Sequence, residues 1–488
     1  MGVPLWAFRL RSCPQGRRAT GYVRNAPTLA QQGARPKTNL NFIELNKNLY
    51  FCTFFMPNSN RKIGLFTASS LIVANMIGTG VFTSLGFQAL GISSGFALVF
   101  LWIVGGVVAL CGALTYGEIG SRFPQSGGEY TYLSKIYHPA LGFLSGWVSI
   151  TVGFAAPVAA AAMAMSKYVG YLYPQLPKSF FAATIVVLIS SLHAIHFGIG
   201  KSFQNFFTTL KVLVILIFIL AGFWTKNDGD ANFTINTEAT HSIFSAAFAI
   251  SLYFVGYSYS GWNAAAYIAG EIQNPEKNLP TSLLIGTGIV AVLYISLNYV
   301  FLKVAPLHEL KGQLEVGAIA ATHIFGHSGG KIMSIIISLL LVSSISAMIM
   351  VGPRVSEAMG KDYSILAFLA KRKNDTPLVA IFVQSLISLF FIVTATFDQV
   401  ITYIGFTLNL FLFMTVLGVF VSRYRNTPPQ YTGYKTFLYP FVPMLFLVIE
   451  GWVLVYGLIY KPIESQLGLI TVLSGLIFYY LDVSKKRK

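Results

Sequence analysis

Two short stretches of this chain carry the residue types from which a binding site for a small zwitterion can be built. The first is Val73-Ala74-Asn75-Met76-Ile77-Gly78-Thr79-Gly80-Val81-Phe82 and the second is Phe254-Val255-Gly256-Tyr257-Ser258-Tyr259-Ser260-Gly261-Trp262-Asn263. Each lies inside a long apolar run, where glycine and hydroxyl residues interrupt the helix that the flanking sequence favours. Where a helix restarts after Gly78-Thr79-Gly80, the amides of those residues lack intrahelical partners and stand at the positive end of the helix dipole, so they suit a carboxylate. Freed carbonyls around Met76 and, in the second stretch, around Tyr257 and Ser260 suit an ammonium. One cavity offering both describes a site for an α-amino acid. Small residues would also let two helices pack closely; paired interruptions favour the cavity.

The elements that must position these groups follow from composition. Of 488 residues, 55% are hydrophobic and 10% charged, with 44 Gly, 40 Phe and a mean hydropathy of +0.64. A soluble domain is about 25% charged, so this chain is solvated by lipid. A helical span needs about 20 apolar residues. Twelve such spans are read at roughly 63–90, 94–121, 137–165, 180–198, 203–224, 242–270, 280–303, 331–353, 376–395, 398–421, 436–459 and 466–482. Barrel strands would alternate polar and apolar residues instead. The expected fold is an all-α polytopic membrane protein with broken first and sixth helices. Residues 62–224 and 242–421 form two five-span halves, 436–483 the last two spans, and 484–488 a basic tail. Matching interruptions in two halves are the mark of an inverted-repeat transporter with its substrate between them.

The formal net charge of +17 does not point to nucleic acid, because the basic residues sit between spans. Outside the first 55 residues and Lys211, they divide 18 to 7 between the two faces, which places both termini in the cytoplasm. Residues 1–61 read as a basic disordered extension, with seven Arg or Lys before residue 38, no acid until Glu44, and Met56 as a candidate start. Three cysteines, Cys13, Cys52 and Cys111, give neither a disulfide framework nor metal spacing. No cofactor or metal is expected, and no nucleophile elbow or phosphate loop is present.

Lys211, within Phe206-Phe207-Thr208-Thr209-Leu210-Lys211-Val212, is the basic residue read deep in a span. An intramembrane Lys is a functional hypothesis by default. It takes the place of a coupling Na⁺ or carries a proton; the alternative is that it snorkels to the nearer edge. Glu118 and Arg122 are equally suited to structure and to gating, Glu271 to a cytoplasmic gate, and Glu450 to packing or a dimer contact. His193 and His196 read as interfacial. Ala155, Ala156, Ala160, Ser258, Ser343 and Ser346 line a small, apolar side-chain pocket, and no buried Asp or Glu is expected to pair with a cationic substrate.

The chain resembles the amino acid-polyamine-organocation superfamily, in its L-type amino acid transporter branch and the bacterial members of that branch. The residues that carry the resemblance are Ile77-Gly78-Thr79-Gly80-Val81-Phe82, then Glu118-Ile119-Gly120 with Pro124 and Ser126-Gly127-Gly128-Glu129-Tyr130, then Tyr259-Ser260-Gly261-Trp262-Asn263 through Glu271, Asn274-Pro275 and Asn278-Leu279-Pro280. The similarity covers about 62–483. It implies a LeuT-type fold with a 5+5 inverted repeat and a sodium-independent exchanger of amino acids; the small, apolar pocket favours neutral substrates, and the plasma membrane is the default location. It also implies that Thr79 and Gly80 bind the substrate carboxylate, that carbonyls near Met76, Tyr257 and Ser260 bind its amino group, and that Tyr257 is an aromatic gate. Asn263 would stand beside the site, Lys211 would match the fifth-span Lys, and Tyr294 would cooperate with it. Animal members that pair with a glycoprotein use a Cys in the loop between spans three and four. Residues 166–179 contain none, so a heavy-chain-free monomer or homodimer is expected. The alternatives are a proton-coupled symporter using Lys211 and, more remotely, a membrane sensor or enzyme.

Overall fold

The structure is a computed structural model and describes residues 63–195, 201–226, 229–373 and 376–487, with backbone alone for 201–205, 486 and 487. The proposed extension at 1–61 and His196 lie outside the described residues.

By length and composition, nine helices can each cross a membrane: Gly95–Arg122, Pro139–Leu172, Lys178–Ile195, Phe206–Trp224, Pro275–Val304, Val316–Asp362, Phe397–Tyr424, Phe441–Tyr460 and Pro462–Lys485. Two bent pairs, Leu65–Met76 with Gly80–Gly91 and Thr237–Ile243 with Ala246–Glu271, bring the count among the described residues to eleven, and the shorter apolar helix Leu378–Thr394 lies where the ninth span was expected. Among the described residues the regular secondary structure is helical, with two isolated β-bridges.

Local chemistry sets several boundaries. Ser94 caps the second span by accepting from the Ala97 amide, and a Thr396–Gln399 capping box opens the tenth. The eighth helix is 47 residues long because a lead-in segment joins it at Gly326, whose φ of 76° breaks the helical path. The third span carries a π-helical segment, Ser149–Gly153.

Partners in the packing are five spans apart. The first span lies on the sixth, the second on the seventh, the third on the eighth and the fourth on the ninth. Two interleaved five-helix repeats produce this pairing, because each helix of one half meets its counterpart in the other.

Candidate functional site

The first interruption lies where the sequence placed it. The helix stops at Met76, Ile77–Thr79 are non-helical, and a second helix starts at Gly80, bent 44° from the first. Thr79 stands at the N-cap position but does not cap. Its hydroxyl instead hydrogen-bonds the Tyr257 hydroxyl at 2.8 Å. Among the described residues the amides of Thr79 and Gly80 meet no backbone carbonyl. An uncapped helix N-terminus with a polar residue diverted from capping is a place for an anion.

The second interruption lies within the stretch the sequence marked, in its last four residues. Gly256, Tyr257 and Ser258 remain helical to Tyr259, and the break falls at Ser260–Asn263 before a 3₁₀ segment, Ala264–Glu271. Gly261 sets the position with a φ of 97°, a conformation only glycine adopts without strain. The two breaks touch. A Cβ on Gly261 would lie 3.0 Å from the Asn75 carbonyl, and one on Gly80 would lie 2.6 Å from the Ser258 Cα. Thr79 and Tyr257 are buried, Gly78 half-buried and Ser260 exposed.

The carbonyls assigned to an ammonium are partly committed. Met76 carbonyl accepts the Tyr294 hydroxyl at 2.6 Å, and Tyr257 carbonyl accepts the Ser260 amide at 3.1 Å. Tyr294 is held by an aromatic cluster, with ring centroids 5.8 Å from Trp102 and 5.2 Å from Tyr259. Such pairs contribute about 0.5–1.5 kcal/mol beyond burial. Tyr294 therefore ties the seventh span to the open end of the first half-helix.

Lys211 does not snorkel. It is buried, and its ammonium donates to the Ser344 hydroxyl at 2.9 Å, joining the fifth span to the eighth. Asn263 is turned away from the break, its amide donating to Glu129 at 2.5 Å, a carboxylate that also accepts Tyr116 at 2.8 Å. Glu129 opens the helix Glu129–Ile136 between spans two and three, and no spacing in the sequence announces its pairing with Asn263, 134 residues away.

His193, in the last turn of the fourth span, is fully buried, with Nε2 2.8 Å from the Ser346 hydroxyl. Ser346 therefore meets the fourth span, and Ala155 carbonyl accepts Ser388 of the ninth at 2.8 Å, so both contribute to a helix contact. Buried carboxylates stand elsewhere among the described residues, at Glu118, Glu129, Glu357, Glu450 and Asp482. Glu450 lies inside the bundle and not on an outer face where a second copy would dock.

A family model for amino acid permeases matches residues 63–478. The chain belongs to the amino acid permease family. The permease is 31% identical over 437 residues to the serine/threonine exchanger SteT of Bacillus subtilis, covering 88% of this chain and 98% of that one. It is 27% identical over 441 residues to the human b(0,+)-type amino acid transporter 1, covering 87% and 88% respectively. It is 28% identical over 449 residues to the mouse large neutral amino acids transporter small subunit 2, covering 88% and 82%. This is a multi-pass membrane protein of a transporter family, as the motifs resembled.

In the permease, the end of the bundle that carries Arg122 is locked by one carboxylate. Glu118 accepts Arg122 at 2.8 Å, Arg423 at 2.6 Å, and the amide and hydroxyl of Thr436 at 2.7 and 2.8 Å. Arg122 lies over the Tyr431 ring at 4.4 Å and Arg423 over Tyr439 at 3.6 Å. Ile63 adds a parallel bridge, donating to Glu271 carbonyl at 3.2 Å and accepting from Gln273 at 2.9 Å. Glu271 thus contributes its backbone to this closure. Glu118→Ala leaves two guanidiniums without their shared partner and is expected to cost about 3–5 kcal/mol, read as earlier thermal unfolding in detergent. An unchanged unfolding temperature would show that the cluster does not hold this end together.

Proposed function

We propose that this permease exchanges small neutral L-amino acids, without sodium, across the plasma membrane, with both termini in the cytoplasm. The observation that carries the reading is the bare helix start at Thr79 and Gly80 packed against Tyr257 and the break at Ser260–Asn263. The substrate carboxylate binds the amides of Thr79 and Gly80, beside Gly78, whose own amide meets the Tyr294 hydroxyl. Its ammonium meets the remaining lone pairs of the carbonyls at Met76 and Tyr257 and the exposed backbone at Ser260.

Tyr257 hydroxyl, now on Thr79, is the group that must move aside or follow the substrate, which suits a gate. Because the zwitterion satisfies helix ends that are otherwise bare, it stabilises the state in which both breaks are closed around it and lowers the cost of reorientation. The empty carrier lacks that compensation and reorients slowly, so transport proceeds as exchange.

Lys211 supports sodium independence, since a fixed ammonium between the fifth and eighth spans supplies the charge a bound cation would bring. The names of the relatives, a serine/threonine exchanger and a transporter of large neutral amino acids, support a neutral substrate. The cysteine-free 166–179 segment supports function without a disulfide-linked heavy chain, as a monomer or homodimer.

The test is uptake of labelled serine, alanine and leucine into proteoliposomes in sodium-free buffer, with and without unlabelled amino acid inside. Uptake that requires the preload is expected. Uptake into empty vesicles that follows an imposed proton gradient would replace exchange by proton-coupled symport through Lys211.

A further inference from the structure

Behind the broken sixth span lies a second polar site that the substrate pathway does not use. A part-open cavity of about 30 Å³ is lined by the second, sixth, tenth and eleventh spans. Gly256 and Tyr259 line it on the sixth span, Asn409 on the tenth and Glu450 on the eleventh. Gly256 leaves room there: a Cβ added to it would meet no atom within 4 Å. The side chains of Tyr257 and Ser258 point elsewhere, to Thr79 and Ser84, so this cavity lies on a different face of the helix from the candidate substrate site.

Glu450 is 8% exposed, and its Oε2 is buried without a hydrogen-bond partner. The cavity walls described include no Lys, Arg, His or Asp. From the sixth span, Tyr259 donates to Trp102 carbonyl at 3.1 Å and Tyr253 to Val453 carbonyl at 2.9 Å, so neither phenol is an available cation or donor for the carboxyl. The second span presents Gly105, Val108 and Ala109, and the tenth Asn409 and Leu412, none of them charged. The twelfth span contributes no residue to the lining.

The setting gives the carboxyl no counter-charge and leaves Oε2 without a hydrogen-bond partner, and an ionised carboxylate needs both. A bare metal cation would ask for about six oxygens, and only Glu450 and Asn409 offer free side-chain oxygens. The volume holds a water molecule, which needs polar partners and roughly 10–15 Å³ of this kind of space.

We propose that Glu450 is a proton-binding site, occupied at neutral pH, whose deprotonation places a negative charge against the sixth helix at Gly256 and sets the alkaline limit of transport. The step is a simple ionisation: the O–H bond of the carboxyl breaks, the electron pair stays on the carboxylate, and the proton passes to water in the cavity. The charge so created lies one residue from Tyr257, on a helix that must adjust when the breaks close.

Two measurements on the full-length protein in lipid test this. Infrared difference spectra taken across a pH titration should show a protonated-carboxyl C=O band that E450Q removes. Exchange should fall at alkaline pH in the parent, roughly tenfold per pH unit beyond the midpoint, whereas E450Q, which mimics the protonated acid, should keep its rate. If E450Q does not fold, E450D serves instead, with a shifted band and a shifted alkaline limb. A band unaffected by either variant, or pH profiles that superimpose, would overturn the proposal. The infrared readout needs no transported substrate, so it stands apart from the exchange reading above.

Discussion

Gly80→Ala is expected to reduce exchange by about 100-fold or more while Gly78→Ala leaves the protein assembled. The added methyl at Gly80 would lie 2.6 Å from the Ser258 Cα and 2.8 Å from its Cβ. The first of these is a main-chain atom of a buried helix, so no rotamer change relieves it. The second half of the first span must separate from the sixth, and overpacking of this kind costs about 1–3 kcal/mol. Separation also pulls Thr79 from Tyr257, now 2.8 Å apart, and a displacement near 1 Å at a binding centre is worth about 100-fold in rate. At Gly78 the nearest atom to an added Cβ is 3.8 Å away, an ordinary contact. Initial exchange rates, with thermal unfolding measured on the same preparations, check this. A Gly80→Ala protein with parental rate and unfolding temperature would show that the close approach of the two spans is dispensable.

Lys211→Ala is expected to abolish exchange, by at least about 100-fold, in a protein that still folds. Its ammonium is buried and held by Ser344, whose hydroxyl also reaches back to Leu340 carbonyl at 3.3 Å. A hydrogen bond to a charged group is worth about 1.5–3 kcal/mol, and truncation removes the charge as well as the bond. Ser344→Ala keeps the charge and removes one acceptor, so its loss should be roughly tenfold. The order of the two effects is the informative result. If Lys211→Ala exchanged at the parental rate, the charge between the fifth and eighth spans would have no part in the cycle, and sodium independence would need another explanation.

These predictions rest on different degrees of legibility. The spans could be read because hydropathy is a local property that accumulates over about 20 residues. The first break could be read because Gly-Thr-Gly removes side-chain packing and favours non-helical backbone within three residues. The second could be read only as a ten-residue stretch, since Gly256 and Gly261 both offered a place to unwind. Gly256 stays helical beside open space, and Gly261 takes φ of 97° where the first span presses upon it. The choice between them depends on a neighbour 186 residues away, Asn75.

The same limit applies to every charged group. Glu118 and Arg122 are four residues apart, and their pairing follows from helical spacing. That Arg423 and Thr436 share the same carboxylate does not, because those residues arrive from the tenth span and the loop beyond it. Lys211 was visible as a cation in lipid, but whether it would reach the interface or turn inward to Ser344 depended on which face of the fifth span the eighth covers. His193 and Glu450 were visible as polar residues, but that both are buried among neighbouring spans was not. By itself the sequence determined the solvent, the helical polytopic class, the first break and the family, because these depend on composition and short motifs. Only the tertiary structure decided the second break, the partners of the buried charges and the cavity at Glu450, because each is a contact between spans whose separation along the chain carries no information about distance in space.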